Sequence, residues 1–151
     1  MPWWQKLAQS RPPDFVIGGA DDPYLKRWWV IPRNRFFNIY LHNFLRSDDD
    51  RALHGHPYLF NGSFLLEGSY VEHTISEGGI HHQAHRCAGE RKWRWGAAPH
   101  RIELTDGPCW TAFVTGPRVR EWGFYCVERG WVSWQDFTAP AAPGEIGRGC
   151  E

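Results

Sequence analysis

Two histidines, His54 and His56, stand on either side of a single glycine in segment 51–57, which reads RALHGHP. Side chains two residues apart in a strand leave the same face, so a strand here would aim both imidazoles at one place. Two converging imidazoles are a common part of the ligand set of a divalent metal ion. A pair of surface histidines would have the same spacing, so a metal site needs support from elsewhere in the chain.

A third histidine and two glycines follow at informative spacings. Four residues separate His56 from Asn61, and six more separate Asn61 from Gly68. Ten residues separate Gly89 from His100. This order resembles the two sequence motifs of the cupin superfamily, which are H-x-H followed by Glu and Gly, and then Gly, Pro-x-Gly, His and Asn. The matching positions are His54, His56, Gly68, Gly89 and His100.

The resemblance covers residues 35–116 and implies an all-β fold. That fold is a cupin-like double-stranded β-helix, or jelly-roll barrel, with short N-terminal irregular or helical segments. The chain is also similar to a single-domain cupin type found in bacterial and phage-derived sequences, through runs such as DPYL, IPRN and HRIEL.

The motifs depart from the family pattern at four positions, and one of these is a ligand position. Asn61 stands where cupins usually have a metal-binding Glu. The resemblance therefore implies a site of three histidines, His54, His56 and His100, whose fourth protein position is weak or vacant. Asn61 could still offer an amide oxygen or hold a metal-bound water. The other departures are Trp95 and Ala97 in place of Pro and Gly, and Leu104 in place of the closing Asn.

A site of three neutral imidazoles leaves coordination positions open for a substrate. An ion bound there would lower the pKa of a coordinated water and polarise a substrate oxygen. The resemblance implies one divalent metal ion, with Fe(II), Zn, Ni and Mn as candidates. Dioxygenase, isomerase and lyase chemistries all occur in the cupin superfamily, so the fold alone does not select among them.

Four further residues are candidates for the pocket around the metal. Glu72 follows the first-motif glycine on a predicted strand, where its carboxylate could be a substitute ligand, a general base or an outward charge. Tyr70 shares the parity of Glu72, and Tyr40 and His42 share a parity on a neighbouring strand, so these three are predicted to line the pocket. The ligand histidines also need acceptors that fix their tautomers, and the candidates are Asp49, Asp50 and Glu72.

The rest of the chain alternates short strand patterns with turn signals, and such a pattern favours a sandwich or a barrel. WWQKL, near the N-terminus, predicts a short helix. We expect a single domain over residues 1–138 with its core at 35–134, followed by a flexible tail at 139–151. The predicted strands are 35–45, 57–66, 68–75, 91–95, 100–104, 109–115 and a closing hairpin of 120–127 and 130–134.

Three polar segments raise other functions that the local sequence does not favour. IHHQAHRC (80–87) could hold a second metal, but the preceding SEGG favours a mobile loop with solvated histidines at His81, His82 and His85. RKWRW (91–95) could stack single-stranded nucleic acid, but strand alternation favours its basic residues in water and its tryptophans in the core. The acidic run 47–50 lacks the spaced ligands of a calcium site and predicts a solvated turn.

Composition narrows the class of protein further. Lys+Arg and Asp+Glu are both 17 among 151 residues, so no global field favours nucleic acid or an anionic membrane as a partner. No apolar run approaches the ~20 residues of a spanning helix, and the N-terminus lacks the apolar region of a signal peptide. The four cysteines are scattered without C-x-x-C, which predicts reduced thiols and a cytoplasmic location.

Two functions fit these observations. The first is a small metal-dependent enzyme, in which the three histidines hold one divalent metal ion and a small polar metabolite binds beside it. The second is a non-catalytic cupin that binds a small ligand or a protein partner, with or without metal, and that could have a phage-related role. Cupins commonly pair, so the resemblance implies a homodimer, and candidates for covering the shared surface are Trp3, Trp4, Trp28 and Trp29.

Overall fold

The structure is a computed structural model that describes residues 1–47 and 52–151, with the side chains of residues 142–144 left out. Most of the acidic run, including the two predicted acceptors Asp49 and Asp50, lies outside the described residues. Helices are short: α1 covers Trp3–Ser10, α2 covers Trp134–Phe137, and one 3₁₀ turn covers Glu77–Gly79. Within the described ranges, no helix has the length and apolar content that crossing a membrane requires.

Strands make up most of the regular structure. In chain order they are β1 Phe15–Ile17, β2 Leu25–Trp29, β3 Asn38–Phe44, β4 Leu53–His54, β5 Phe60–Glu67, β6 Ser69–Ile75, β7 His81–Cys87, β8 Arg91–Trp95, β9 His100–Leu104, β10 Cys109–Thr115, β11 Gly123–Cys126, β12 Gly130–Ser133, β13 Thr138–Ala139 and β14 Ala142–Ile146.

Two six-stranded antiparallel sheets form the body of the protein. The first has the order β1-β2-β3-β10-β5-β8, and the second has the order β12-β11-β4-β9-β6-β7, while β13 and β14 pair separately. Residues from both sheets line one large central cavity, so the inner faces oppose each other across it. The predicted all-β jelly-roll barrel is therefore confirmed.

Strand β10 shows why these sequences form two-faced sheets. Its sequence, CWTAFVT, alternates fully buried with partly buried residues along its whole length. It lies between β3 and β5 and pairs with both in antiparallel register. Its inward residues include Thr111 and Phe113, which line the cavity, while the outward Trp110 packs on Trp28 with ring centroids 5.6 Å apart. This alternation is what a strand with one face on the core requires.

The second sheet carries the histidine segment. Strand β4 pairs with β9 through His54↔His100 and with β11 through Phe124↔His54. Residues directly opposite in an antiparallel register leave the same face, so His54 and His100 enter the barrel together. Beyond β4, the backbone N–H of His56 donates to the carbonyl of Gly96 at 2.7 Å, which fixes the loop that presents the second histidine.

Most of segment 80–87 forms strand β7, His81–Cys87, rather than the predicted loop, so that prediction was wrong. It pairs with β6 along its full length, from Ser69↔Cys87 to Ile75↔His81. The segment HHQAHRC has none of the branched or aromatic residues typical of strands. Its backbone pairing with a distant strand overrides its weak local preference.

The orientation predicted for β8 was also wrong. Trp93 and Trp95 are 52% and 69% exposed, whereas the side chain of Arg94 is only 6% exposed. The register places Trp93 opposite Gly62 of β5, and a Cβ at that glycine would come within 2.6 Å of the indole ring. The glycine therefore makes room for Trp93 on the outer face, and the opposite parity sends Arg94 into the barrel.

The expectation of four reduced thiols is wrong for two of them. Cys126 and Cys150 form a disulfide, while Cys87 and Cys109 are free. This bond removes part of the ground on which a cytoplasmic location was predicted. The segment expected as a flexible tail, 139–151, contains strand β14 and one half of the disulfide. The domain boundary and the flexibility of the tail stay predictions.

The tryptophans expected on a dimer surface occupy different environments. Trp28 is 4% exposed and lies within the first sheet, and Trp29 lines the central cavity. Trp3, on α1, is 46% exposed. The homodimer stays a prediction.

Candidate metal centre

His54, His56 and His100 converge inside the barrel. Each offers one ring nitrogen, and these nitrogens all lie within 4.8 Å of one another. The Nε2 atoms of His56 and His100 are 2.9 Å apart, so these two imidazoles face each other through Nε2. The predicted three-histidine group is confirmed as a group that could hold a metal ion.

Aromatic side chains from both sheets surround these imidazoles. The ring of Phe124 lies 6.0 Å from that of His54, and the ring of Phe113 lies 5.4 Å from that of His56, measured between centroids. Phe124 is 2% exposed and Phe113 is 7% exposed, so the walls of the site are well packed. Packed walls limit the rotamers open to the ligand side chains and keep their nitrogens directed at one point.

Burial keeps His56 and His100 uncharged. Desolvation lowers the pKa of both His56 and His100 well below the ordinary value of 6.5. For His56 the neighbouring His100 and His54 lower the pKa further, and for His100 the charge of Arg94 does so. A metal ligand must be the neutral imidazole, so the donor set fits a divalent ion of the kind that imidazole prefers.

Glu72 lies behind His100 and is not one of the grouped ligands. Its carboxylate is 1% exposed, and Oε1 lies 3.3 Å from Nδ1 of His100. Arg94 Nη2 donates to Oε1, and Arg86 Nε donates to Oε2 at 3.2 Å. A carboxylate next to the non-ligating nitrogen of a metal-binding histidine fixes the tautomer and orientation of that ring. Its suggested roles as a ligand or a general base stay predictions.

Arg94 lies in the candidate site, although strand alternation predicts it on the outer face of β8. Its guanidinium lines the cavity and pairs with Glu72. Arg94 Nη1 also donates to Oδ1 of Asn61 at 3.3 Å. One available signal was the Asn61-Gly62 pair on β5, since a glycine within a strand often marks a close approach by a neighbouring group.

Asn61, at the position of the usual cupin Glu, is fully buried and held by Arg94. Its Oδ1 accepts from that guanidinium, while its Nδ2 has no hydrogen-bond partner among the described residues. The structure does not place Asn61 in the wall of the cavity. Its suggested roles at the metal stay predictions.

The three aromatic pocket candidates all line the central cavity, which has a volume of about 480 Å³. Tyr40 and His42 enter from β3 and stack on each other, with ring centroids 6.0 Å apart. Tyr70 enters from β6. Burial raises the pKa of Tyr70, and that of the nearby cavity residue Tyr58, to about 12. Both phenols therefore stay protonated at neutral pH and can donate hydrogen bonds to a bound molecule.

A second histidine group lies on the outer face of the same sheet. His73 Nδ1 is 2.9 Å from His81 Nε2, and His73 Nε2 is 2.7 Å from Glu103 Oε2. Both nitrogens of His73 are thus engaged in opposite directions, and His81 and Glu103 do not face a common point with it. Among the described residues this set is not a candidate metal group.

No family model matches the sequence, and no curated protein matches it. Solved structures do match in fold. Fe(II) HppE in complex with its substrate aligns with a TM-score of 0.56 at 15% identity, covering 70% of this chain and 57% of that one. A Bacillus subtilis oxalate decarboxylase studied for its Mn(II) centres aligns with a TM-score of 0.56 at 15% identity, covering 77% and 30% respectively.

A third likeness is to an uncharacterised protein with a double-stranded β-helix domain from Klebsiella pneumoniae. It aligns with a TM-score of 0.54 at 15% identity and covers 72% of this chain and 90% of that one. The chain spans little more than half of HppE and under a third of the decarboxylase. These likenesses show that the chain has the cupin fold, a double-stranded β-helix.

Proposed function

We propose that this protein binds one divalent metal ion through His54, His56 and His100 and presents it to a small polar metabolite in the central cavity. The observation that carries the proposal is the convergence of three imidazoles on one point in the wall of the central cavity, where burial keeps His56 and His100 uncharged. Fe(II), Zn, Ni and Mn are the candidates, and two proteins of the same fold hold Fe(II) and Mn(II).

Some residues of this chain would bind the ion, and others would orient the side chains that bind it. His56 and His100 offer Nε2, since those atoms face each other inside the site. The carboxylate of Glu72 lies 3.3 Å from Nδ1 of His100 and so favours the proton on Nδ1 and the lone pair on Nε2. A bound divalent ion supplies Lewis-acid chemistry, or redox chemistry if it is iron or manganese.

The surrounding side chains would exclude water and orient the metabolite. Phe113 and Phe124 close the walls beside the histidines. The protonated phenols of Tyr58 and Tyr70 would donate hydrogen bonds to oxygen atoms of the bound molecule. We propose an enzyme of the dioxygenase, isomerase or lyase class, because three histidine ligands would leave coordination positions of the ion open to the cavity.

A non-catalytic binding protein is the second candidate, and one observation favours it. Glu72 is the one carboxylate found near the described ligands, and both of its oxygens already accept hydrogen bonds from arginines, Oε1 from Arg94 and Oε2 from Arg86. Without a free base, the cavity would bind a ligand without transforming it. Incubation of the metal-loaded protein with a panel of small organic acids separates the two. Oxygen uptake, or any change in the NMR spectrum of an acid, supports the enzyme, and acids that bind but stay unchanged favour the binding protein.

The metal site itself is tested by elemental analysis of protein purified without a histidine tag. We expect about one equivalent of metal in the wild type and a loss of nearly all of it in His56→Ala and His100→Ala. His81→Ala, in the outer histidine group, is the matched control and should keep the wild-type content. No metal in the wild type after incubation with Fe(II), Zn, Ni and Mn would overturn the proposal.

A further inference from the structure

Arg27 of β2 is a charged cavity residue that has no carboxylate partner among the residues that the structure describes. Its Nε donates to Nε2 of His42 at 2.8 Å, and its guanidinium carbon lies 4.9 Å from the centroid of the Tyr40 ring. Among the described residues it forms no ion pair within 4.0 Å. Burial lowers the pKa of this guanidinium, yet arginine remains protonated in proteins at neutral pH.

The two arginines near Glu72 provide the contrast. Arg94 and Arg86 both donate to that carboxylate, and Arg86 also lies 3.4 Å from Glu90. Their charges are therefore largely compensated within the protein. Within the described part of the chain, Arg27 contacts a neutral imidazole and the face of an aromatic ring in place of a carboxylate. A partly buried charge of this kind is costly unless a ligand supplies the opposite charge.

The rest of the cavity has the same bias in charge. Its described lining residues include four arginines and no aspartate or glutamate. Its walls are otherwise mainly apolar and aromatic. The cationic residues in the lining are Arg27, Arg33, Arg94 and Arg118, and the aromatic wall includes Trp29, Phe44, Phe113, Trp122 and Phe124.

We propose that the metabolite is an organic acid with an apolar or aromatic body, whose carboxylate pairs with Arg27. Because His42 occupies Nε, the two Nη groups of Arg27 remain to form a bidentate pair with a planar carboxylate. The body of the acid lies against the aromatic walls, and its other end reaches the three histidines. The inference rests on the proposed function for the choice of that other end, whereas the carboxylate site depends on Arg27 alone.

The test compares an acid with its uncharged analogue on the metal-free full-length protein. The probes are 3-phenylpropionate and 3-phenylpropanamide, and binding is measured by titration calorimetry. Removing metal beforehand with a chelator prevents the carboxylate from binding an ion instead of Arg27. We expect the wild type to bind the acid about tenfold more tightly than the amide, because a charge-assisted bidentate pair is lost in the amide.

The variants assign that preference to one side chain. In Arg27→Met the acid and the amide should bind equally. Arg91→Met, which removes an exposed arginine of β8 that does not line the cavity, is the matched control and should keep the preference. Arg27→Lys retains the charge without the two Nη groups and should keep only part of the preference for the acid. This variant therefore tests the proposal even if Arg27→Met does not fold.

Three outcomes would overturn the proposal: equal binding of both probes by the wild type, no binding of either probe, or a preference that persists in Arg27→Met. The metal site is scored separately by elemental analysis. A protein that prefers the acid but holds no metal would refute the proposed function and leave the carboxylate site standing. A protein that holds metal without preferring the acid would refute this inference alone.

Discussion

The second sheet carries a histidine group on each face, and the two differ in how their nitrogens are used. On the inner face, His54, His56 and His100 turn ring nitrogens toward one point, all within 4.8 Å of one another. On the outer face, His73 lies between His81 and Glu103 and contacts each of them through one ring nitrogen. The inner group can share an ion, while the outer group forms a chain of hydrogen bonds.

The difference teaches that a metal site depends on what stands behind the ligands as much as on the ligands themselves. Glu72 contacts His100 through Nδ1 and leaves Nε2 directed at the site. Glu103 contacts His73 through Nε2, and His81 contacts the other nitrogen, so neither nitrogen of His73 is available. The nitrogen that the carboxylate contacts therefore determines whether a histidine can bind a metal ion or only form hydrogen bonds.

Removing each supporting carboxylate should give the largest contrast. Glu72→Gln leaves Arg94 and Arg86 without a buried counter-charge, so we expect the free energy of unfolding to fall by about 3–5 kcal/mol. Glu103, whose side chain is 44% exposed, should contribute less than about 1 kcal/mol when changed to Gln. Urea unfolding of the two metal-free variants measures both values.

The same pair tests the role proposed for Glu72 at the metal. We expect metal affinity to weaken by about 10–100-fold in Glu72→Gln and to stay at the wild-type value in Glu103→Gln. Equal affinities in the two variants would show that the carboxylate behind His100 does not support the site.

The inward orientation of Arg94 on β8 predicts the next largest effect on the free energy of unfolding. Arg94→Met removes one of the two arginines that pair with Glu72 and should lower the free energy of unfolding by about 3 kcal/mol. Lys92→Met, two residues away on the same strand and exposed, should change it by less than about 0.5 kcal/mol. Similar losses in both variants would contradict the inward placement of Arg94.

The smallest effect is the pH dependence of stability that His42, on the inner face of the first sheet, should cause. Burial lowers the pKa of His42 well below its ordinary value of 6.5. Below pH ~6.5 the unfolded chain therefore takes up a proton that the folded protein does not, and stability falls as the pH drops toward the folded-state pKa. Above pH ~6.5 this contribution is fully present. The slope due to His42 is about 1.4 kcal/mol per pH unit.

His42→Gln keeps a side chain that can accept from Arg27 but does not titrate. We expect the metal-free variant to lose stability between pH 6.5 and 5 less steeply than the wild type, by that slope. Unfolding in urea at several pH values measures the difference. Identical slopes would mean that His42 is protonated to the same degree in the folded and unfolded states.

Much of the fold and the inner histidine group could be predicted from the sequence. Strands such as β10 and β9 have clear alternation, and that signal is local. The H-x-H pair and His100 have spacings that resemble a known motif. The register His54↔His100 then brings them together.

The parts that could not be predicted depend on contacts between distant segments. Strand β7 exists because β6 offers it a backbone to pair with, which its own residues do not reveal. The direction of β8 depends on the space above Gly62, 31 residues before Trp93 along the chain. Arg27 and Arg94 read as ordinary surface charges in the sequence, and the disulfide of Cys126 with Cys150 has no spacing signal.

Anomalous diffraction at a metal absorption edge, from crystals of protein purified without a histidine tag, tests the central claim most directly. It compares the two histidine groups in one measurement. The account predicts one anomalous peak at ~2.0–2.2 Å from nitrogens of His54, His56 and His100, and none at His73 and His81. A peak at the outer group, or none at the inner group after soaking with each candidate metal, would contradict it.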